Sequence, residues 1–182
     1  MKIVLIGIQG SGKSTQGNLL SEELKIPYLS TGHIFREIAK EKTPLGRYIK
    51  ETMNSGYLIP DDKTLEIVNE YLSRPEYLKG YILDGFPRTT EQAEKFKNGI
   101  QAVIYINIPD EEALKRLSLR EDDREDAVAE AIKKRIEIFH EFTRPVIEYY
   151  RHHGKFHEVD GLKSIDEVHK DITSYLHSIL KS

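Results

Sequence analysis

Gly7-Ile8-Gln9-Gly10-Ser11-Gly12-Lys13-Ser14 has the spacing G-x-x-x-x-G-K-[ST] of a loop that wraps phosphate. Gly7, Gly10 and Gly12 let the main chain curl until successive N–H groups and a helix N-terminus face one anion. Lys13 adds a mobile positive charge for the outer phosphate oxygens, and the Ser14 hydroxyl is a ligand for Mg²⁺. Ser11 and Thr15 are the flanking hydroxyls. The pattern points to nucleotide binding and leaves the reaction open, because the same loop serves kinases, switches and motors.

A second constellation lies at Asp84-Gly85-Phe86-Pro87-Arg88. Asp84 ends a short apolar run, and beside the phosphate loop its carboxylate can hold Mg²⁺ or the waters around it. Arg88, four residues on, is placed to grip a further anion, with the planar guanidinium that suits a phosphate.

Positioning these residues requires strands that end where the chemistry begins. Residues 2–6 are a β-branched and leucine run of the kind buried in a parallel sheet, and Leu19, Leu20 and Leu24 recur at helical spacing up to Pro27. Residues 26–30, 80–84, 103–108 and 155–161 are the other short strand candidates. Between them fall a helix capped by Ser30 or Thr31, helices over 45–54 and 61–73, one capped by Thr89 or Thr90, and one over 110–119. A long amphipathic helix is predicted over 127–151, with Ile132, Ile136, Phe139 and Val146 inward and a kink or break at Pro145, then a last helix over 165–180. Strands alternating with helices predict an α/β fold: a three-layer α/β/α sandwich on a five-stranded parallel sheet, with ligands beyond the carboxyl ends of the strands.

The bulk composition narrows the function. Of 182 residues, 38% are hydrophobic and 31% charged, an ordinary globular balance that predicts one packed domain. With 27 basic against 30 acidic residues the net charge is -3, which disfavours long nucleic acid as a partner and requires any nucleotide site to gather its cations locally. The absence of cysteine excludes disulfides and thiolate zinc. No export signal and no membrane partner are predicted, because apolar runs are short, and the expected location is the cytoplasm. Nothing in the sequence decides between a monomer and a homo-oligomer.

The phosphate loop, Ser30-Thr31-Gly32, Arg36, Asp84-Gly85-Phe86-Pro87-Arg88-Thr89 and Gln92 together resemble the adenylate kinase family. The resemblance runs nearly the length of the chain and takes in residues 143–150 and Val159-Asp160-Gly161. It implies a P-loop NTPase fold and Mg²⁺-dependent transfer of the γ-phosphoryl of ATP to AMP, giving two ADP. It further implies that Arg36 and Arg88 hold the AMP phosphate, while Thr31, Gly32, Gly56, Ile59, Gly85 and Gln92 contact AMP. Arg116 corresponds to a residue stacked on the ATP adenine and Arg120 to one at the γ-phosphate. Arg124, Asp126 and Arg135 fit the later arginines of a lid and their carboxylate; a second register, with Asp122 and Asp123 as the paired carboxylates, is the alternative. Lys13, Arg88, Arg120, Arg124 and Arg135 are thus the implied catalytic groups, and Ser14 and Asp84 the implied metal ligands.

The implied domain has a core of 1–29, 61–115 and 136–182, a monophosphate lobe at about 30–60 and a short lid at about 116–135. Ser14 stands where the family commonly has glycine, and His33 where it usually has aspartate. A kinase for UMP, CMP or several monophosphates is the nearest enzyme alternative, though Ser30-Thr31-Gly32 and Arg88-Thr89 favour AMP. A regulatory nucleotide-binding module of the GTPase type would need an Asn-Lys-x-Asp motif, and the sequence has none.

Overall fold

The computed structural model describes residues 1–119, 129–153 and 156–180. Strands β1 (Lys2–Ile6), β2 (Tyr28–Ser30), β3 (Tyr81–Asp84), β4 (Ala102–Asn107) and β5 (Phe156–Asp160) form one parallel sheet in the order β2-β3-β1-β4-β5. The connection from β1 to β2 runs one way along the sheet, past β3, and every later connection runs the other way, so the chain leaves the neighbouring strands β1 and β4 in opposite directions. A sheet that reverses leaves a crevice at the carboxyl end of its central strand. β1 runs directly into the glycine loop at that point. The register pairs Leu5 with Asp84, which brings the carboxylate level with the end of β1.

The helices α1 (Lys13–Leu24), α2 (Thr31–Lys40), α3 (Pro44–Asn54) and α4 (Asp61–Leu72) precede β3. After it come α5 (Thr90–Lys95), α6 (Asp110–Ser118), α7 (Ala129–Ile138), α8 (Arg144–His153) and α9 (Ile165–Leu180). β1 is apolar on both sides because both are covered. Ile3 and Leu5 pack with Leu20 of α1 and with Val168, Ile172 and Leu176 of α9. Val4 and Ile6 face the other way, into a cluster with Val68 of α4, Ile132 and Ile136 of α7 and Val146 of α8. This is the expected three-layer α/β/α sandwich. Each fully buried aliphatic side chain of this kind contributes roughly 1.5–3 kcal/mol relative to exposure. Among the described residues no helix is long and apolar enough to cross a membrane.

Three features depart from the sequence expectation. The single helix expected over 127–151 is two helices joined by a π-helical segment, Phe139–Thr143, although Ile132, Ile136, Phe139 and Val146 are all buried as predicted. Pro145 explains the widening: it has no N–H to donate and its ring would strike the carbonyl of Glu141, so the chain inserts a wider turn just before it. A 3₁₀ turn at Pro75–Tyr77 had no periodic signal. On α1 the buried positions include Gln16 beside Gly17 and Leu20, because Gln16 donates to the carbonyl of Ile165 at 2.9 Å and ties α1 to the start of α9.

Candidate functional site

The glycine loop takes its shape from two left-handed residues, Gly10 at φ +89° and Gly12 at φ +97°. Gly12 is also the N-cap of α1 and offers no side chain to the helix end, which leaves the first-turn N–H groups for a ligand. Lys13 folds back over the loop and donates from Nζ to the carbonyls of Gly7 at 2.7 Å and Ile8 at 3.0 Å. Ser11 is buried, and its Oγ has no hydrogen-bond partner among the described residues. Ser14 and Thr15 stand exposed on the first turn of α1.

Asp84 is 7% exposed at the end of β3. Its Oδ2 accepts a hydrogen bond from the Tyr28 phenol at 2.7 Å, while Oδ1 is buried without a partner among the described residues. Burial first, then the Asp84 charge and the bond to it, push the Tyr28 phenol well above its ordinary value, so it remains a donor. The Tyr28 ring lies on Gly17 so closely that any side chain there would collide with it.

The turn after Asp84 carries the second anion station. Gly85 adopts φ +79°, and a Cβ there would meet Thr31 Oγ1 at 2.7 Å and Arg88 Nη2 at 3.0 Å. Arg88 Nε donates to the Gly85 carbonyl at 2.7 Å, and its own backbone N–H donates to Gln92 Oε1 at 2.7 Å. Its carbonyl accepts from Thr143 Oγ1 at 3.0 Å, a contact made by the π segment. The Arg88 side chain is exposed to the open cleft, with protein surrounding that cleft. Desolvation therefore lowers it from its ordinary value, aided by the Arg135 and Arg36 charges and opposed by Asp84; an arginine keeps its charge under such a shift.

These pieces line one cleft of about 410 Å³, within the range that holds small ligands. Of the sequence candidates, the loop supplies Gly7, Gly10, Gly12, Lys13 and Ser14 to its wall. The same cleft is lined by Gly32, Arg36, Gly56, Asp84, Gly85, Arg88 and Arg135. Among the described residues Lys13, Arg36, Arg88 and Arg135 line it with one carboxylate, that of Asp84, so a chain of net charge -3 gathers permanent cations at one place. Gly56, at φ +77°, brings its turn to within 3.2 Å (from its would-be Cβ) of the Ala131 carbonyl, and Arg135 Nη2 donates to the Met53 carbonyl at 3.2 Å. α7 and the α3 turn thus meet across the cleft.

Other candidates lie off the wall. Thr31 is buried, with Oγ1 donating to the Asp84 carbonyl at 3.1 Å, and the Ile59 carbonyl accepts from Thr64 Oγ1. Gln92 is buried behind Arg88, its Nε2 donating to Asp61 Oδ1 at 2.7 Å. Ser11 and Thr15 sit behind the loop. Arg116 is apart from the cleft, held by Glu112 Oε1 at 2.7 Å and by the Gly161 carbonyl at 3.0 Å. Arg120 and Arg124 lie outside the described residues, as do Asp122, Asp123 and Asp126.

Sequence reasoning passed over several residues of the site. Tyr28, Met53 and Tyr57 line the cleft without any motif to announce them, and so do Phe139, expected only as core, and Thr143, known only as the start of the family-like segment 143–150. Asp61 lines nothing, yet its carboxylate accepts from Thr89 Oγ1 at 2.9 Å as well as from Gln92 and so anchors the Arg88 turn to α4.

The family model described as adenylate kinase matches residues 5–155. An adenylate kinase of Clostridium novyi is 34% identical over 212 aligned positions, covering 97% of this chain and 98% of the relative. One of Archaeoglobus fulgidus is 36% identical over 215 positions, covering 98% and 99%. One of Acetivibrio thermocellus is 33% identical over 219 positions, with the same coverage. Each alignment is longer than the 182 residues of this chain, so each relative has positions without a counterpart here.

Proposed function

The chain belongs to the adenylate kinase family of phosphotransferases, whose reaction carries the γ-phosphoryl of ATP to AMP to give two ADP, and on that premise we propose how its own residues divide the work. The observation that supports the division is that one cleft is lined by cations from separate elements, Lys13 at the glycine loop, Arg36 on α2 and Arg88 in the turn after β3. Lys13 and the loop N–H groups take the donor phosphates. Arg36 and Arg88 take the acceptor phosphate, and Arg135 lies between them to meet charge that spreads over the transferring group. Arg120 and Arg124 join as lid arginines, and Arg116 as the residue beside the donor base.

Phosphoryl transfer asks little covalent chemistry of a protein and much positioning and charge stabilisation. Lys13 donates to the Gly7 and Ile8 carbonyls, which holds its ammonium over the loop where donor phosphate oxygens would bind. Thr31, Gly32, Gly56, Ile59, Gly85 and Gln92 shape the acceptor side, some through their backbone and some from behind the wall. Residues of about 30–60 act as a lobe that closes over the monophosphate and keeps water from the donor, with a short lid at about 116–135.

Magnesium fits the donors at the site. The buried Oδ1 of Asp84, without a partner among the described residues, and the exposed Ser14 hydroxyl are hard oxygen ligands of the kind Mg²⁺ takes. Among the described residues no group of three or more acidic or histidine side chains could cage a metal alone, which suits an ion brought in on a nucleotide. Held by Asp84 and Ser14, magnesium would offset the charge of the donor phosphates. A cytoplasmic site of action belongs to this proposal, supported by a cysteine-free chain suited to a reducing compartment.

Steady-state rates with AMP, CMP, UMP and GMP as acceptors at fixed ATP test the reading. AMP should give the highest kcat/KM. A higher value for a pyrimidine monophosphate would reassign the acceptor, and no transfer to any of the four would overturn the proposal.

A further inference from the structure

Tyr28 has no part in the transfer as set out above, yet it holds the carboxylate on the metal side of it. Its O–H donates to Oδ2 of Asp84 at 2.7 Å, between residues 56 apart in sequence, while Oδ1 is left without a partner among the described residues. The phenol is itself held. The ring fills the space that Gly17 leaves on α1, and β2 pairs with β3 so that Tyr28 lies opposite Ile82 and Ser30 opposite Asp84. Helix, strand and ring thus fix the position from which the hydrogen bond is made.

Asp84 has competing attractions. Arg88 lies close enough for the Asp84 charge to act on it, and Arg36 faces the same cleft. A partly desolvated carboxylate is drawn strongly to a guanidinium nearby. Yet Arg88 Nε donates to the Gly85 carbonyl at 2.7 Å, and Asp84 accepts from the phenol. We propose that Tyr28 is a positioning residue for the metal side of the transfer. Its hydrogen bond keeps the Asp84 carboxylate turned to the magnesium carried by ATP and away from the guanidiniums that receive the acceptor phosphate. The inference rests on the reading of Asp84 as a magnesium ligand.

The test is Mn²⁺ binding to the enzyme–ATP complex, followed by electron paramagnetic resonance in the wild type, Tyr28→Phe, Asp84→Asn and the double variant. Removing a partner that orients a metal ligand weakens the metal by about 10–100-fold, so Tyr28→Phe should raise the Mn²⁺ dissociation constant by at least about tenfold. Asp84→Asn should raise it at least as far, and the double variant no further than Asp84→Asn alone, because the phenol acts only through the carboxylate. An unchanged constant in Tyr28→Phe with a raised one in Asp84→Asn overturns the inference and leaves the Asp84 reading standing. Unchanged constants in both overturn the Asp84 reading and the inference with it. A lowered melting temperature in Tyr28→Phe without a weaker metal would reduce the residue to core packing and equally overturn the proposal. Should Tyr28→Phe not fold, Gly17→Ala displaces the ring with its hydroxyl kept and gives the same readout, expected in the same direction.

Discussion

Arg88 owes its position to main-chain contacts: its Nε to the Gly85 carbonyl, its N–H to Gln92 and its carbonyl to Thr143. None of these needs a bound nucleotide, so the guanidinium waits in place for an anion and little ordering is left to do on binding. Arg88→Ala removes charge-assisted hydrogen bonds to the acceptor, worth about 1.5–3 kcal/mol. AMP affinity by calorimetry should therefore fall by roughly 10–100-fold while ATP affinity holds, and equal loss of both would contradict the division of the cleft. The motif residues were legible because their chemistry is fixed by spacing along the chain: seven residues from Gly7 to Ser14, four from Asp84 to Arg88. Tyr28 and Asp61 were not, since each acts through a contact between residues far apart in sequence, and nothing next to a tyrosine or an aspartate says which strand or helix will bring its partner.

At the level of elements, the join between α4 and α5 stabilises the acceptor wall. Asp61, the first residue of α4, accepts from Thr89 and Gln92, and Thr89 Oγ1 in turn caps α5 by accepting from the Gln92 N–H at 3.1 Å. Asp61→Ala would leave the buried Gln92 amide and the Thr89 hydroxyl without their acceptor. The expected loss is about 1–3 kcal/mol by urea denaturation, accompanied by a raised KM for AMP because Gln92 also holds the Arg88 N–H. Caps such as Thr89 and the strand ends could be read from the sequence, because they depend on neighbours within a turn. The π segment could not be placed. Pro145 announces an interruption, but whether a helix breaks, bends or widens there is decided by what it packs on, here the Arg88 carbonyl and the core around Phe139 and Val146.

For the whole molecule, alternating strands and helices made the parallel sheet foreseeable, whereas the strand order is set by which pairs of faces bury best together and has no local signature. The same core sets the alkaline limit of the fold. Tyr81 is 2% exposed, its hydroxyl has no partner among the described residues, and burial raises its pKa, as it does for Tyr28 and Tyr150. A raised phenol contributes stability that is complete below about pH 10, where unfolded tyrosine still holds its proton, and that is lost as pH rises toward the folded value. Thermal stability should therefore fall above about pH 10. Tyr81→Phe should soften that decline and, by removing an unpaired buried hydroxyl, leave stability at pH 7 unchanged or higher by up to about 1 kcal/mol. A clear loss at pH 7 would show that the hydroxyl has a partner.

The contact between the Tyr28 ring and Gly17 also constrains the order in which substitutions can accumulate. A side chain at 17 and a tyrosine at 28 compete for one volume, so glycine at position 17 admits the tyrosine without overlap, and a larger residue there carries a packing cost while the tyrosine is present. Gly17→Ala in the present chain should cost about 1–3 kcal/mol of overpacking. The same change in a Tyr28→Ala background should cost much less, and simple additivity of the two by urea denaturation would refute the coupling. A glycine that looks like a helix defect is on this view a permissive site: it makes room for the phenol, and the phenol makes its replacement costly.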